Sequence, residues 1–294
     1  MAPRAWGGAG HWFSLQPKGT LAAMTNPPDE SHAAPPERPA VAYAREGAVG
    51  VIRLQRPDNR NSMTPELLGA FASASAAARA DQDARAVVVV GEGRCFSAGA
   101  DFKATLQTGE GLPHARSYAM YQPFLSLLDL EVPVIGALNG HAVGGGFGLA
   151  LVCDLRFAAE DAKLGANFAR LGLHSGMAIA YRLPWRIGLP RPYELLRGGR
   201  RGTGREAAAM GLVNAACPAG EVEARAMAMA RAIAANAPLA VRSIKRAVRE
   251  GLSWDPQTAA RHEAALQAES LGTRDAQEGM AALLEKREPT FRGS

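Results

Sequence analysis

The sequence predicts an α/β fold with a helical C-terminal region, on three observations. Residues 86–90 and 132–138 are apolar runs rich in β-branched side chains, each followed by a glycine turn. That is the pattern of strands buried on both faces of a parallel sheet. Helical patterns fall between such runs, which calls for right-handed crossovers. Beyond residue 203, alanine-rich amphipathic segments follow one another almost without interruption.

Taken in order, residues 1–39 are punctuated by proline and glycine and hold no helical or strand period. They lack the continuous apolar centre of a secretory signal. This leader is expected to be poorly ordered, with Met24 an alternative start. Regular structure begins near Val41. Residues 48–54 read as a strand that ends at the turn Arg56-Pro57-Asp58-Asn59. Thr64 caps, and Pro65 opens, a helix running toward Arg79. The strand 86–90 leads into a loop at 94–103 and a helix near 115–128. The strand 132–138 ends at Asn139-Gly140, and residues 155–159 form a third strand. Helices follow at 224–235, 238–250, 256–270 and 275–286. The chain thus divides into a leader (1–39), an α/β core (40–200) and a helical region (201–294).

Composition narrows the function. With 47% hydrophobic and 21% charged residues there is ample apolar surface to bury, which excludes a disordered polyelectrolyte. No apolar run reaches membrane-spanning length, so no span is expected. The net charge of +5 is modest. Arg182, Arg186, Arg191, Arg197, Arg200, Arg201 and Arg205 lie close together with only Glu194 among them. A solvated or subunit-contact face is the expected role, an anionic ligand the next, and nucleic acid the last, because aromatic interleaving is absent. Cys95, Cys153 and Cys217 have no metal-ligand spacing, which points to inert thiols in a reducing, cytoplasmic compartment and to no metal.

Two glycine loops follow buried strands: residues 91–101 and residues 139–148. The second opens a helix. Free N–H groups at a helix start carry partial positive charge and suit a phosphate or a developing oxyanion. A tight turn is the plainer alternative for either loop. Neither has the G-x-G-x-x-G or G-x-x-x-x-G-K-[ST] spacing of a nucleotide site.

The segments RCFSAGAD (94–101), PVIGALNGHAVGGG (133–146) and CDLRFAAE (153–160) together resemble the crotonase superfamily, the enoyl-CoA hydratase/isomerase family. Arg56-Pro57 with Asn61, Leu171-Gly172-Leu173, Arg182-Leu183-Pro184, EGMAA (278–282) and EKR (285–287) extend the resemblance over most of residues 41–292. It implies a core of ββα units wound into a superhelix, with C-terminal helices used in trimer packing and trimers that pair into hexamers. It implies an acyl-CoA thioester as substrate and no further cofactor, membrane or nucleic acid. It also implies an oxyanion hole of two backbone N–H groups, those of Ala100 and Gly145. The phosphates of coenzyme A call for cations, and Arg60, Lys103 and Lys286 are the candidates. Ala98 and Asp101 belong to the same CoA-facing loop.

The sequence also departs from the family. The resemblance implies two glutamates that handle water, and this chain has Gly148 and Phe168 at those positions. Neither transfers a proton. His174 is the candidate substitute base, with a structural histidine as the alternative. His141 is expected to be structural. His114, Tyr118 and Tyr121 lie on the variable segment that lines the acyl pocket, where packing is the expected role of the tyrosines. Asp101 is read as orienting its loop and Asp154 as a structural acceptor. Asn167 and Arg170 flank the second lost glutamate and could hold a polar acyl group. Three functions stay open. One is an enolate-stabilising enzyme of isomerisation, decarboxylation, C–C cleavage or hydrolysis. The others are a hydratase working through His174 and a catalytically inactive CoA-binding protein.

Overall fold

The computed structural model describes residues 38–101 and 112–294. Residues 1–37 of the leader and Lys103 therefore lie outside the described residues, while Arg38 pairs with Glu92 at 2.7 Å. Residues 38–294 form one compact unit. Its centre is a six-stranded sheet in the order Val41–Glu46 (β1), Val49–Leu54 (β2), Ala86–Gly91 (β3), Val134–Leu138 (β5), Leu155–Ala159 (β7) and Ala215–Cys217 (β9), with a three-stranded sheet of Cys95–Ser97 (β4), His141–Val143 (β6) and Leu164–Gly165 (β8) beside it.

The strand expected at 48–54 is one arm of a hairpin. β1 (Val41–Glu46) and β2 (Val49–Leu54) pair antiparallel, and every other pairing is parallel. β3 (Ala86–Gly91) and β5 (Val134–Leu138) are buried at every residue, as their unbroken apolar runs required. β7 (Leu155–Ala159) pairs with β5. Each of these three strands is followed by a short one in the second sheet: β4 (Cys95–Ser97), β6 (His141–Val143) and β8 (Leu164–Gly165). The repeating strand–strand–helix unit follows from that alternation.

The helix Pro65–Ala80 starts as its sequence predicts, with the Thr64 hydroxyl accepting from the Leu67 N–H at 3.2 Å. It packs on the helix Pro113–Leu125 through an edge-to-face pair, Phe71 against Phe124, with ring centroids 4.7 Å apart.

The region beyond residue 201 is not helical throughout. β9 (Ala215–Cys217) pairs with β7 as the last strand of the large sheet, and the helix Val222–Ala234 covers that sheet. The sheet therefore extends past residue 200. The remaining helices, Pro238–Gly251, Pro256–Leu271 and Arg274–Glu285, follow. Lys245, on the first of them, donates to the Asp154 carboxylate and the Val132 carbonyl, both at 2.8 Å. No helix among the described residues is long and apolar enough to cross a membrane.

Candidate active site

The two glycine loops meet. In the first, buried Asn61 is the anchor: its side chain donates to the carbonyls of Glu92 (3.0 Å) and Cys95 (2.9 Å) and accepts from the Arg56 N–H (2.9 Å). The Ser97 hydroxyl donates to the Asn61 carbonyl at 2.8 Å, and the Gly99 N–H donates to that hydroxyl at 3.3 Å. Two backbone bonds complete the frame, Ala98 N–H to the Arg60 carbonyl (3.0 Å) and Met63 N–H to the Gly99 carbonyl (2.8 Å).

The second loop turns at Gly144, where φ is +56°, into the buried helix Gly145–Val152. The Gly144 N–H donates to the Gly165 carbonyl at 3.0 Å. At Gly99 φ is +82°, and an added β-carbon would sit 2.5 Å from the Val143 carbonyl oxygen and 2.7 Å from the Gly145 nitrogen. Only glycine permits both the conformation and the approach. Among the described residues, the N–H groups of Ala100 and Gly145 have no hydrogen-bond acceptor. Two unsatisfied donors on adjoining loops, one at the start of a helix, can bind an anionic oxygen.

The positions of the two lost glutamates lie at this same place. The Phe168 ring reaches over the second loop, its Cζ 3.7 Å from where a Gly144 β-carbon would be. A β-carbon at Gly148 would strike the Cβ of Met177 and lie 2.9 Å from its Cγ. Met177 is buried, with φ +57°. Sequence reasoning missed it, although its side chain occupies the space beside Gly148. The next residue back, Gly176, packs directly against the Tyr121 hydroxyl. Tyr121 therefore reaches this wall, whereas Tyr118 and His114 are exposed.

The other candidates separate. His174 is exposed and lines a groove of about 450 Å³ with Phe168, Ser175, Leu189 and Tyr193. Its Nδ1 lies 2.7 Å from the Ser175 carbonyl, an acceptor, so Nδ1 carries the proton and Nε2 is left as the basic nitrogen. His141 Nδ1 accepts from the Lys163 N–H at 3.0 Å, and burial, followed by Arg201, Arg94 and Lys163, lowers its pKa. Arg170 is turned away and donates to the Gly198 carbonyl at 3.2 Å, and Asn167 precedes the 3-10 turn Phe168–Leu171 without a side-chain capping bond. Asp154 accepts from the Val134 N–H at 2.8 Å as well as from Lys245. Asp101 is half-buried at the end of the first loop. Arg60 is exposed, its carbonyl accepting from the Ala98 N–H, while Lys286 is the C-cap residue of the helix Arg274–Glu285. The three cysteines are free and buried, and burial pushes Cys153 up to about 12. Among the described residues no cluster of His, Cys, Asp or Glu could hold a metal ion.

Four members of the arginine cluster, Arg191, Arg197, Arg201 and Arg205, are exposed as expected of a solvated face, and the other three are half-buried. Arg182 and Arg186 turn inward and donate to carbonyls at the C-terminal end of the helix Gly145–Val152. Arg200 pairs with Glu194 and Glu206, Arg205 with Glu160, and Arg197 stacks over Tyr193. Glu160, Glu194 and Glu206 and the helix-end carbonyls thus engage four of the seven arginines.

Residues 44–294 match the model of the enoyl-CoA hydratase/isomerase family. The chain belongs to that family. It is similar to the crystal structure of an enoyl-CoA hydratase from Bacillus anthracis, with 33% identity and a TM-score of 0.83 over 87% of this chain and all of that one. An enoyl-CoA hydratase from Polaromonas sp. JS666 matches with 30% identity and a TM-score of 0.80 over 86% of this chain and 99% of that one. The bovine mitochondrial enoyl-CoA hydratase domain-containing protein 2 is 36% identical over 259 residues, 86% of this chain and 87% of its own. The family binds acyl-CoA substrates. Its own side chains around the two free N–H groups are phenylalanine and methionine.

Proposed function

We propose that this chain is an acyl-CoA enzyme that holds a thioester enolate on the N–H groups of Ala100 and Gly145, without adding water through a pair of glutamates. The observation that carries it is the pair of free donors with Met63 against Gly145 and Phe168 against Gly144, while Met177 fills the space beside Gly148. Losing one such donor typically costs about 2.7–4 kcal/mol of transition-state stabilisation. The reaction classes that fit are isomerisation, decarboxylation, C–C cleavage and thioester hydrolysis. Loss of CO₂ needs no strong base, because the electron pair of the breaking bond flows directly to the thioester oxygen.

A second assignment has its own observation. His174 keeps Nε2 as a basic nitrogen in the groove beside Phe168, which supports a hydratase with a substitute base. We further propose coenzyme A contacts from Arg60, Lys103 and Lys286 beside Ala98 and Asp101, and a cytoplasmic, metal-free enzyme. A homotrimer or paired trimer is supported by apolar side chains left exposed on the last helices, among them Ile244, Val248, Leu283 and Leu284.

The test incubates the protein with crotonyl-CoA and with malonyl-, dienoyl- and aryl-acyl-CoA thioesters. Turnover of one of the latter with little crotonyl-CoA hydration is the expected result. Robust crotonyl-CoA hydration lost in His174→Ala selects the second assignment. Binding without turnover across the panel makes the chain a catalytically inactive CoA-binding protein.

A further inference from the structure

The far end of the helix Gly145–Val152 carries a concentration of positive charge that the site described so far does not use. Arg156, 5% exposed, donates to the carbonyls of Cys153 (2.5 Å) and Leu212 (2.8 Å). Arg182 donates to Leu151 at 3.0 Å. Arg186 donates to Leu151 at 3.1 Å and to Cys153 at 3.4 Å, and its Nε is buried without a partner. Asp154 is the carboxylate that raises the pKa of all three, and it is already engaged by Lys245. Three guanidinium groups therefore converge on one helix end with positive charge in excess.

This arrangement is costly. Burial first, and then Arg186, lowers the pKa of both Arg156 and Arg182. Capping the last carbonyls of an eight-residue helix does not call for three mutually repelling cations. Charge at this end does act at the other. The helix is about 12 Å long, and its N-terminal residue is Gly145. Cations at the C-terminus cancel the negative pole of the macrodipole and add a positive potential along the helix axis. At the effective dielectric of about 20 that suits protein interiors, a unit charge about 12 Å away changes the equilibrium of an anion about tenfold.

We infer that Arg182 and Arg186 are positioning residues that strengthen oxyanion binding at Gly145 through the helix Gly145–Val152, by charge as well as by capping. The inference rests on the oxyanion-hole proposal above and extends it to residues that touch no substrate.

The probe is acetoacetyl-CoA, whose enolate absorbs in the near ultraviolet and whose bound acidity reports the oxyanion site. The pH midpoint of the enolate band is measured on the full chain for the parent, for Arg182→Gln and Arg186→Gln, and for the corresponding lysine variants. Glutamine keeps a donor for the same carbonyls and removes the charge; lysine keeps the charge. Each glutamine variant is expected to raise the midpoint by about one unit, a roughly tenfold loss of enolate, and each lysine variant to stay near the parent. Thermal denaturation runs alongside, because a purely structural role would lower the melting temperature without this split. Glutamine variants with the parent midpoint overturn the inference and leave the oxyanion hole standing. Failure of both glutamine variants to fold also overturns it, since the charge would then serve folding. A parent protein that binds acetoacetyl-CoA without an enolate band overturns the oxyanion hole itself, and this inference with it.

Discussion

Gly99→Ala tests the meeting of the two loops against a matched control. Gly99 and Gly211 both hold positive φ, +82° and +77°. An alanine at either is strained by about 1–2 kcal/mol. At Gly211 nothing lies within 4 Å of the added carbon, so that strain is the whole effect. At Gly99 the carbon meets the Val143 carbonyl oxygen at 2.5 Å and the Gly145 nitrogen at 2.7 Å. Ordinary contact requires the loops to part by the better part of an ångström. A hydrogen bond lengthened that far is lost, so the Gly145 donor drops out. That removes about 2.7–4 kcal/mol of oxyanion stabilisation, which is about two to three units of acidity in bound acetoacetyl-CoA. The assay is the pH titration of the enolate band, with urea denaturation of the same samples. Gly211→Ala should lose the strain energy alone and Gly99→Ala more than that, and only Gly99→Ala should lose the band at neutral pH. A Gly99→Ala protein with the parent's midpoint would refute the reasoning.

Three further outcomes are expected. Asn61→Ala breaks three hydrogen bonds at a fully buried residue with φ +52° and should cost about 3 kcal/mol in urea denaturation. Gly148→Glu alone drives a side chain into Met177 and should lower stability by about 1–3 kcal/mol; adding Met177→Gly, at a φ that suits glycine, should recover much of it in thermal denaturation. His141 has a folded pKa below its ordinary 6.5, so on acidification the unfolded chain takes the proton first. Stability should therefore fall as pH drops through 6.5 toward the folded value, and His141→Asn, which keeps an acceptor for the Lys163 N–H, should flatten that fall in urea midpoints measured from pH 8 to 5.

The sequence was most legible where one residue pattern decides one structure. β3, β5 and β7 stand out as apolar runs, and the Thr64-Pro65 start is a local signal that needs no partner. β4, β6 and β8 have two or three residues each, too few to show a period, so the second sheet could not be read from the residues alone. β9 hid among alanines because Ala215-Ala216-Cys217 has no strand preference of its own and pairs only because β7 offers an edge. At the site, the glycine loops and the two substituted positions were visible as types at places. What fills the space beside Gly148 was not, since Met177 arrives there through a tertiary turn at positive φ. Arg182 and Arg186 sit one helical turn apart, which marks a shared face but not that it looks inward.

β9 has a consequence for how the chain is made. During synthesis β7 is finished at Ala159, while its outer neighbour is not in place until Cys217 has emerged. For that interval a strand of the large sheet presents unpaired N–H and C=O groups, a template for any other extended segment nearby. Three short residues of alanine and cysteine, late in the sequence, are what close it.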